Sequence, residues 1–374
     1  MKIAVVHSAY SLNQPSGEND MVRHQVQALR RWGHDVVVIG RSTDVESRQR
    51  GYKVKAAWRQ ISGLDQKIFD EVELFKPDIV HVHNLVPNIG WRWLNQWSGP
   101  IVYTAHNYRT VCSNGLLYRD GHPCMECLDA SSFSAVRHSC YQDSAISTIP
   151  IAIATRKGLM GNALFQRADA VVCLTTQARD NFLTWGAKEK KLHVIPNGID
   201  AGPIAPLTIR NGRWLTLGRL SPEKGVAKLV EMWPDDQHLD VFGDGPEREY
   251  IETIAGNNVQ LLGSVENRIV RESLPYYEGL VIPSIWSEMW PTVALEAMAA
   301  GVPIIAWEGN AAGTLAGQGL GATYSSVEDI TNALLEVVRG GNILRANCLR
   351  VFEERFTTFA WISGMNKLYE SLMS

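Results

Sequence analysis

The chain has 374 residues, 45% of them hydrophobic, with 36 Lys/Arg against 39 Asp/Glu and a formal charge of -3; that is apolar material for two domains of ordinary size. No run of about eighteen apolar residues occurs, which argues against a membrane-spanning helix, and the charge is too weak and mixed to suggest a nucleic-acid partner. Residues 1–200 carry 23 basic and 18 acidic residues, while 201–374 carry 13 and 21, so the first half suits an anionic acceptor, an anionic membrane surface or merely scattered solvated charge.

Lys2-Ile-Ala-Val-Val-His7 reads as a buried first strand. Its apolar run breaks at His7 with no small-residue cleavage site behind it, so it is not a signal peptide and the expected location is cytoplasmic. A loop, Pro15-Ser-Gly17-Glu18, leads to an amphipathic helix, Met21 to Trp32, with Val22, Val26, Leu29 and Trp32 on one face. The loop glycine lets backbone approach a phosphate or sugar. Asp35–Ile39 is the next strand, which makes strand–helix–strand within 39 residues, the start of a parallel α/β sheet. Further strands follow at Asp78–Val82, Ile101–Thr104, Ala170–Leu174 and His193–Ile195. No G-x-G-x-x-G follows the first strand, so a dinucleotide cofactor is not indicated. Residues 201–211, with two prolines and a glycine, read as a linker. A second series then runs through Trp214–Gly218, Leu239–Phe242, Val259–Leu262, Leu280–Ile282 and Pro303–Ala306. Helices at Val327–Arg339, Asn342–Phe352 and Phe356–Met373 close the chain. Two α/β halves imply a ligand near the carboxyl ends of both sheets.

Four groups of residues carry the chemistry. In Gly218-Arg-Leu-Ser-Pro-Glu-Lys224-Gly225, a strand end meets Ser221 and Pro222, good helix-start residues, with Lys224 in the first turn. Arg219 and Lys224 flanking a helix N-terminus suit a diphosphate; two plain surface cations are the bland reading. After the strand at 280–282, a loop Ser284 to Pro291 holds Glu288, and a helix from Thr292 holds Glu296. Such paired carboxylates suit a polyhydroxylated ligand; alternatively Glu296 pairs with a basic neighbour and Glu288 is solvated. His106, just past the strand at 101–104, faces the ligand end of its sheet and is open to acid–base work or hydroxyl orientation. His81 and His83 alternate on one strand and read as a buried, hydrogen-bonded pair. Cys112, Cys124, Cys127 and Cys140, with His122 and His138 nearby, have a C-x2-C half with metal-ligand spacing. They could supply a structural zinc site or remain inert thiols.

Several motifs in order resemble a GT-B-fold, retaining glycosyltransferase of family 4 over nearly the whole length. They are the opening strand with Gly17, PDIVHVHN at 77–84, TAHN at 104–107, VIPNGID at 194–200, LGRLSPEKG at 217–225, VFGDGPERE at 241–249, and Glu288 and Glu296 with EAMAAGVP. The resemblance implies two Rossmann-like domains facing a central cleft. It places an acceptor domain at 1–200 with a cysteine insertion at about 108–142, a donor domain at 201–355, and a helix at 356–374 crossing back to the first domain. It also implies a nucleotide-diphosphate sugar donor, no cofactor for catalysis, and an acceptor that is a glycan, lipid-linked or a small soluble molecule, with peripheral contact with the inner membrane as the matching location. Arg219 and Lys224 would hold the diphosphate, Glu288 the sugar hydroxyls and Glu296 the ribose. Backbone near Val265 would touch the base, and His106 would stand beside the donor sugar. Gly17, Asn197, Gly218, Ser284, Pro291 and Thr292 fall inside the matching motifs and complete the donor set. Ser16-Gly17 stands where many members have two glycines, and Trp290-Pro291 replaces the commoner Phe-Gly, which alters the donor pocket wall. Trp91, Trp93 and Trp97 are acceptor candidates, or core packing. A sugar-nucleotide 2-epimerase of the same fold is the alternative enzyme, and a non-catalytic sugar-binding protein the other class.

Overall fold

The computed structural model describes residues 1–10, 16–202, 210–286 and 288–374. Pro15 of the expected glycine loop and residues 203–209 of the expected linker lie outside the described residues.

Two compact units emerge. The first comprises Met1–Leu117, Cys124–Asn197 and Trp361–Ser374, and the second Tyr118–Pro123 and Gly198–Ala360. In the first, β1 (Lys2–Ala9), β2 (Asp35–Ser42), β3 (Ile79–Asn84) and β4 (Ile101–Ala105) precede a short antiparallel hairpin, β5 (Tyr118–Arg119) and β6 (His122–Pro123), which is grouped with the second unit. Strands β7 (Ala170–Cys173) and β8 (Leu192–Val194) complete a six-stranded parallel sheet of order β2-β1-β3-β4-β7-β8. Strands β3, β4 and β7 are buried at every position, as expected where both faces of a parallel sheet are covered.

Helix α1 spans Gly17–Arg31, with the Ser16 hydroxyl capping the Asn19 N–H at 3.3 Å. This corrects the expected loop: Gly17 is the first helical residue, and the helix begins four residues before Met21. Apolar periodicity detects only the stripe that starts at Met21 and Val22, whereas the Ser16 cap and the acidic Glu18 and Asp20 set the true start. Helices α2 (Tyr52–Ser62) and α3 (Ala145–Thr155) pack against each other in the same unit.

The second unit's strands are β9 (Arg213–Leu217), β10 (His238–Phe242), β11 (Val259–Gly263), β12 (Leu280–Ile282), β13 (Ile304–Trp307) and β14 (Gly321–Tyr324). They form a parallel sheet of order β11-β10-β9-β12-β13-β14. Edge strand β14 escapes sequence reading because four residues, one a glycine, give no alternation to detect. Helices α4 (Val226–Glu231), α5 (Asn267–Ser273) and α6 (Thr292–Ala299) follow strands β9, β11 and β12. Helix α7 (Val327–Arg355) is broken at Gly341, whose φ is 46°. Helix α8 (Thr358–Met373) returns to the first unit, where Trp361, Ile362, Met365, Leu368 and Tyr369 join a core with Ile3, Val5, Val22, Val102 and Val172. Among the described residues no helix is long and apolar enough to cross a membrane.

In both sheets the first strand of the unit lies inside, with its successor on one side and a later strand on the other. The β1/β3 and β9/β12 boundaries are therefore topological switch points, where the chain leaving the carboxyl ends parts to opposite sides and leaves room for a ligand.

Candidate functional site

At the β9/β12 switch point of the second unit, the segments 218–225 and 283–291 are tied together. Lys224 Nζ donates to Glu288 Oε1 at 2.6 Å and lies 5.4 Å from the centre of the Trp286 ring. The Ile285 N–H donates to the Glu223 carbonyl at 3.2 Å. Gly225 has φ of 71°, and a Cβ there would stand 2.4 Å from the Pro283 carbonyl oxygen, so only glycine permits this approach. Gly218 follows β9, and its carbonyl sits where a Cβ on Gly243 would fall, at 1.8 Å.

One expectation changes in form. Pro222–Lys224 is a single 3-10 turn, and the α-helix begins only at Val226 and runs for six residues. Lys224 is therefore not in the first turn of an α-helix; the left-handed Gly225 separates the two. The charge of Lys224, rather than a long helix dipole, is the electrostatic resource here. Arg219 is exposed on the same loop.

Glu288 is neither solvated nor remote: its side chain is 13% exposed and bound to Lys224. Glu296 is buried in α6 and does have a basic partner. Asn267 Nδ2 donates to its Oε1 at 3.1 Å and the Arg271 guanidinium at 3.3 Å. All three contacts fall on Oε1. Half-buried Val265 lies two residues before Asn267, in the loop from β11 to α5, so its backbone and Glu296 are neighbours through that contact. The Ser284 carbonyl accepts from Asn310 Nδ2 at 2.5 Å. Pro291 precedes α6 and Thr292 opens it, without a side-chain cap. Sequence reading missed Asn267, Arg271 and Asn310, which lie far along the chain and carry no motif. It also missed that the Trp286 and Trp290 indole N–H groups are buried without a partner among the described residues; orphan donors of this kind are filled by a ligand or water.

In the first unit, four imidazoles, those of His7, His81, His83 and His106, gather near the β1/β3 switch point, with the His7 ring 6.3 Å from that of His83. His83 Nδ1 and His106 Nε2 are 2.9 Å apart with their rings stacked, and the His81 ring lies tilted against His83, centroids 4.2 Å apart. His81 is also held by Thr104 Oγ1 and the Tyr369 hydroxyl, each at 2.7 Å. Burial, with neighbouring imidazoles adding to it, pushes His106 down to about 3. At neutral pH it is thus a neutral ring whose Nε2 is engaged by His83, which leaves Nδ1 to orient a hydroxyl. Asn107 Nδ2 donates to Glu18 Oε2 at 2.9 Å, and burial lifts the Glu18 carboxyl to about 7 despite Arg109. Glu18 was missed, although its place beside Gly17 in the first turn of α1 was visible. Asn197 is buried and accepts from Gln25 Nε2 at 3.0 Å, which pins it to α1. Of the tryptophans, Trp93 is core and Trp91 is half-buried, donating to the Gln60 carbonyl at 3.3 Å.

The structure does not support the expected zinc site. Among the described residues no three His, Cys, Asp or Glu side chains are placed to hold a metal. Cys112 is buried and donates to Asn114 Oδ1 at 3.0 Å, and burial pushes the Cys127 thiol up to about 12. His122 turns to the Asp120 carbonyl and His138 to Glu126. Cys112, Cys140 and Cys124 lie near enough to Cys127 to add to that rise.

Two parallel-sheet Rossmann-like units, with a lysine–carboxylate pair at a switch point and a second carboxylate in the adjoining helix, define an enzyme of the GT-B class. Residues 15–202 match the model of Glycosyltransferase Family 4 and residues 212–339 that of Glycosyl transferases group 1. The chain belongs to glycosyltransferase family 4. It is 25% identical over 394 residues to the phosphatidyl-myo-inositol mannosyltransferase of Mycolicibacterium smegmatis, covering 96% of this chain and 90% of that one. It is 28% identical over 244 residues to an exopolysaccharide phosphotransferase of Streptomyces coelicolor, covering 58% of this chain but only 25% of that protein. Among solved structures, HepE of Anabaena in complex with UDP-glucose superposes with a TM-score of 0.66 at 16% identity, over 99% of this chain and 100% of the other.

Proposed function

We propose that this glycosyltransferase moves a sugar from a nucleotide-diphosphate sugar to an acceptor hydroxyl in polysaccharide or glycoconjugate assembly, with retention at the anomeric carbon. The observation that carries the reading is the Lys224–Glu288 pair at 2.6 Å at the β9/β12 switch point. Such a pair supports the reading because it offers a cation to a leaving diphosphate beside a carboxylate for sugar hydroxyls. Exposed Arg219 adds a second cation. Glu296, with Oε1 saturated by Asn267 and Arg271, offers Oε2 to the ribose, and backbone at Val265 meets the base. The Trp286 and Trp290 N–H groups supply further donors to the sugar. The UDP-glucose complex of HepE supports a nucleotide-sugar donor of this kind.

In this mechanism the glycosidic C–O bond to the diphosphate breaks as the cations take up the developing negative charge. The acceptor oxygen bonds to the anomeric carbon on the same face, and its proton passes to a departing phosphate oxygen. No protein nucleophile and no metal ion takes part in the step. Neutral His106, oriented by His83, holds a sugar hydroxyl. Arg219 and Lys224 act mainly in the transition state, so Lys224→Ala should cost about 10²-fold or more in rate. The test is calorimetric titration of wild type and Lys224→Ala with UDP-, GDP-, ADP- and dTDP-sugars. Binding of one donor class that weakens in the variant is expected. Absence of binding to all four overturns the donor site, and a Lys224→Ala variant that keeps both donor binding and the hydrolysis or transfer rate moves it elsewhere.

A further inference from the structure

Arg109, in the segment that follows β4, is held in one pose by its surroundings. Its backbone N–H donates to Asn107 Oδ1 at 3.0 Å. Its guanidinium lies against the Tyr10 and Tyr141 rings, 5.6 and 5.4 Å from their centres, an arrangement that suits a planar cation. Gly115 leaves room for its stem: φ there is 79°, and a Cβ would stand 2.8 Å from Arg109 Cγ.

The hydrogen bonding of this fixed cation is unfinished. Nη1 reaches the Ser113 carbonyl at 3.3 Å, while Nε is buried without a partner among the described residues. The acid that acts on Arg109 is Glu18, and burial lifts that carboxyl to about 7. Near neutral pH it therefore offsets only part of the charge. Arginine stays charged throughout the working pH range, and a guanidinium short of partners is completed by a ligand anion.

Arg109 lines a cavity of about 340 Å³ that lies wholly within the first unit. Among the described residues of its wall, Arg92, Arg109, Arg156 and Lys157 are cations and none is a carboxylate. Arg92, Arg156 and Lys157 are exposed, so a rim of one sign draws anions inward. Deeper in, Thr110 is buried and its Oγ1 has no partner among the described residues. Asn107 spends one N–H on Glu18 and keeps the other. The volume is at the small end for ligand sites, which fits one sugar ring and a phosphate better than an oligosaccharide. We propose that this cavity binds a phosphorylated sugar, with Arg109 taking the phosphate and Thr110 and Asn107 taking hydroxyls. That this sugar is the acceptor rests on the transferase reading: His83, also on the wall, holds His106. The binding itself does not rest on it.

Calorimetric titration of the full chain with glucose, glucose 1-phosphate and geranyl diphosphate tests the site. Glucose 1-phosphate stands for a free sugar phosphate and geranyl diphosphate for a carrier-borne one; whichever binds more tightly names the source. Binding of at least one of the two, much tighter than that of glucose, is expected. Arg109→Gln should weaken it about tenfold or more, the worth of a charge-assisted hydrogen bond, and Arg109→Lys less. Arg156→Gln/Lys157→Gln alters only exposed side chains, so it should melt like wild type while binding more weakly and with a smaller salt dependence. This pair decides the matter if Arg109→Gln fails to fold. Lys224→Ala should leave the binding unchanged. The site is overturned if neither phosphate compound binds, if glucose binds as tightly, or if Lys224→Ala abolishes the binding. It is equally overturned if a folded Arg109→Gln, or the Arg156/Lys157 pair, binds like wild type. Failure of wild type to bind any nucleotide sugar would instead strike the transferase reading and leave the anion site standing.

Discussion

His81 shows how burial converts a titratable group into a pH-dependent stability term. It sits inside the first unit between Thr104 and Tyr369, and burial pushes it down to about 3. His7, His83 and His106 are displaced in the same direction for the same cause, desolvation of the cation. The unfolded chain accepts these protons near the ordinary value of 6.5, and the folded chain refuses them until far lower pH. Their effect is therefore absent above about pH 6.5 and becomes destabilising as pH falls below it, by about 2 kcal/mol for His81 alone at about pH 5. Glu18, raised to about 7, runs the opposite way, but it is one group against four. The melting temperature should fall steadily from neutral pH toward about pH 5, and His81→Asn should show a shallower slope from a lower start. A flat profile in wild type would show that these rings are solvated in the folded state. At this scale the sequence was informative about roles and silent about partners. His81 and His83 were legible as a buried pair because they alternate on one strand. The His83–His106 contact was not, since it joins strands whose adjacency only the sheet order reveals.

The loop that follows β9 turns on close backbone approach more than on side-chain chemistry. Gly225 combines a left-handed φ with a Cβ position 2.4 Å from the Pro283 carbonyl. Gly212 has a similar φ of 68° with nothing within 4 Å. Alanine at Gly212 should therefore cost only the left-handed strain, about 1 kcal/mol. Alanine at Gly225 must also push β12's loop away, adding about 1–3 kcal/mol and moving Lys224 from Glu288. Paired thermal melts and donor titrations of the two variants check this: Gly212→Ala should keep donor affinity and Gly225→Ala should lose it. Equal behaviour of the two would mean that the approach to Pro283 is not what fixes the site. The strands of both sheets other than β14 were readable because buried parallel strands are continuous apolar runs. Element starts were less so, as α1 shows, because the capping residues Ser16 and Glu18 lie outside the apolar stripe. The helix after Lys224 was misplaced for a related reason: Ser221 and Pro222 start a 3-10 turn as readily as an α-helix, and only the left-handed Gly225 decides between them.

At the scale of the molecule, the first unit is not contiguous in sequence. Its core is closed by α8, which arrives from beyond residue 357 and inserts Trp361, Ile362, Met365, Leu368 and Tyr369 among Ile3, Val5, Val26 and Val172. Each of these large side chains contributes about 1.5–3 kcal/mol by burial. Five together rival the whole stability of an ordinary domain, about 5–15 kcal/mol. The hydroxyl of Tyr369 also reaches His81, so the helix supports the imidazole row as well as the apolar core. A chain ending at Ala360 should therefore lose the cooperative melting of the first unit, while the second, whose core lies within Trp214–Val337, keeps its own transition. Tyr369→Phe, which keeps the apolar burial and removes one buried hydrogen bond, should cost only about 1–3 kcal/mol. Calorimetry of full chain, truncation and Tyr369→Phe separates the two contributions. If the truncated chain melts like the intact one, α8 is an attachment to the first unit and not part of its core.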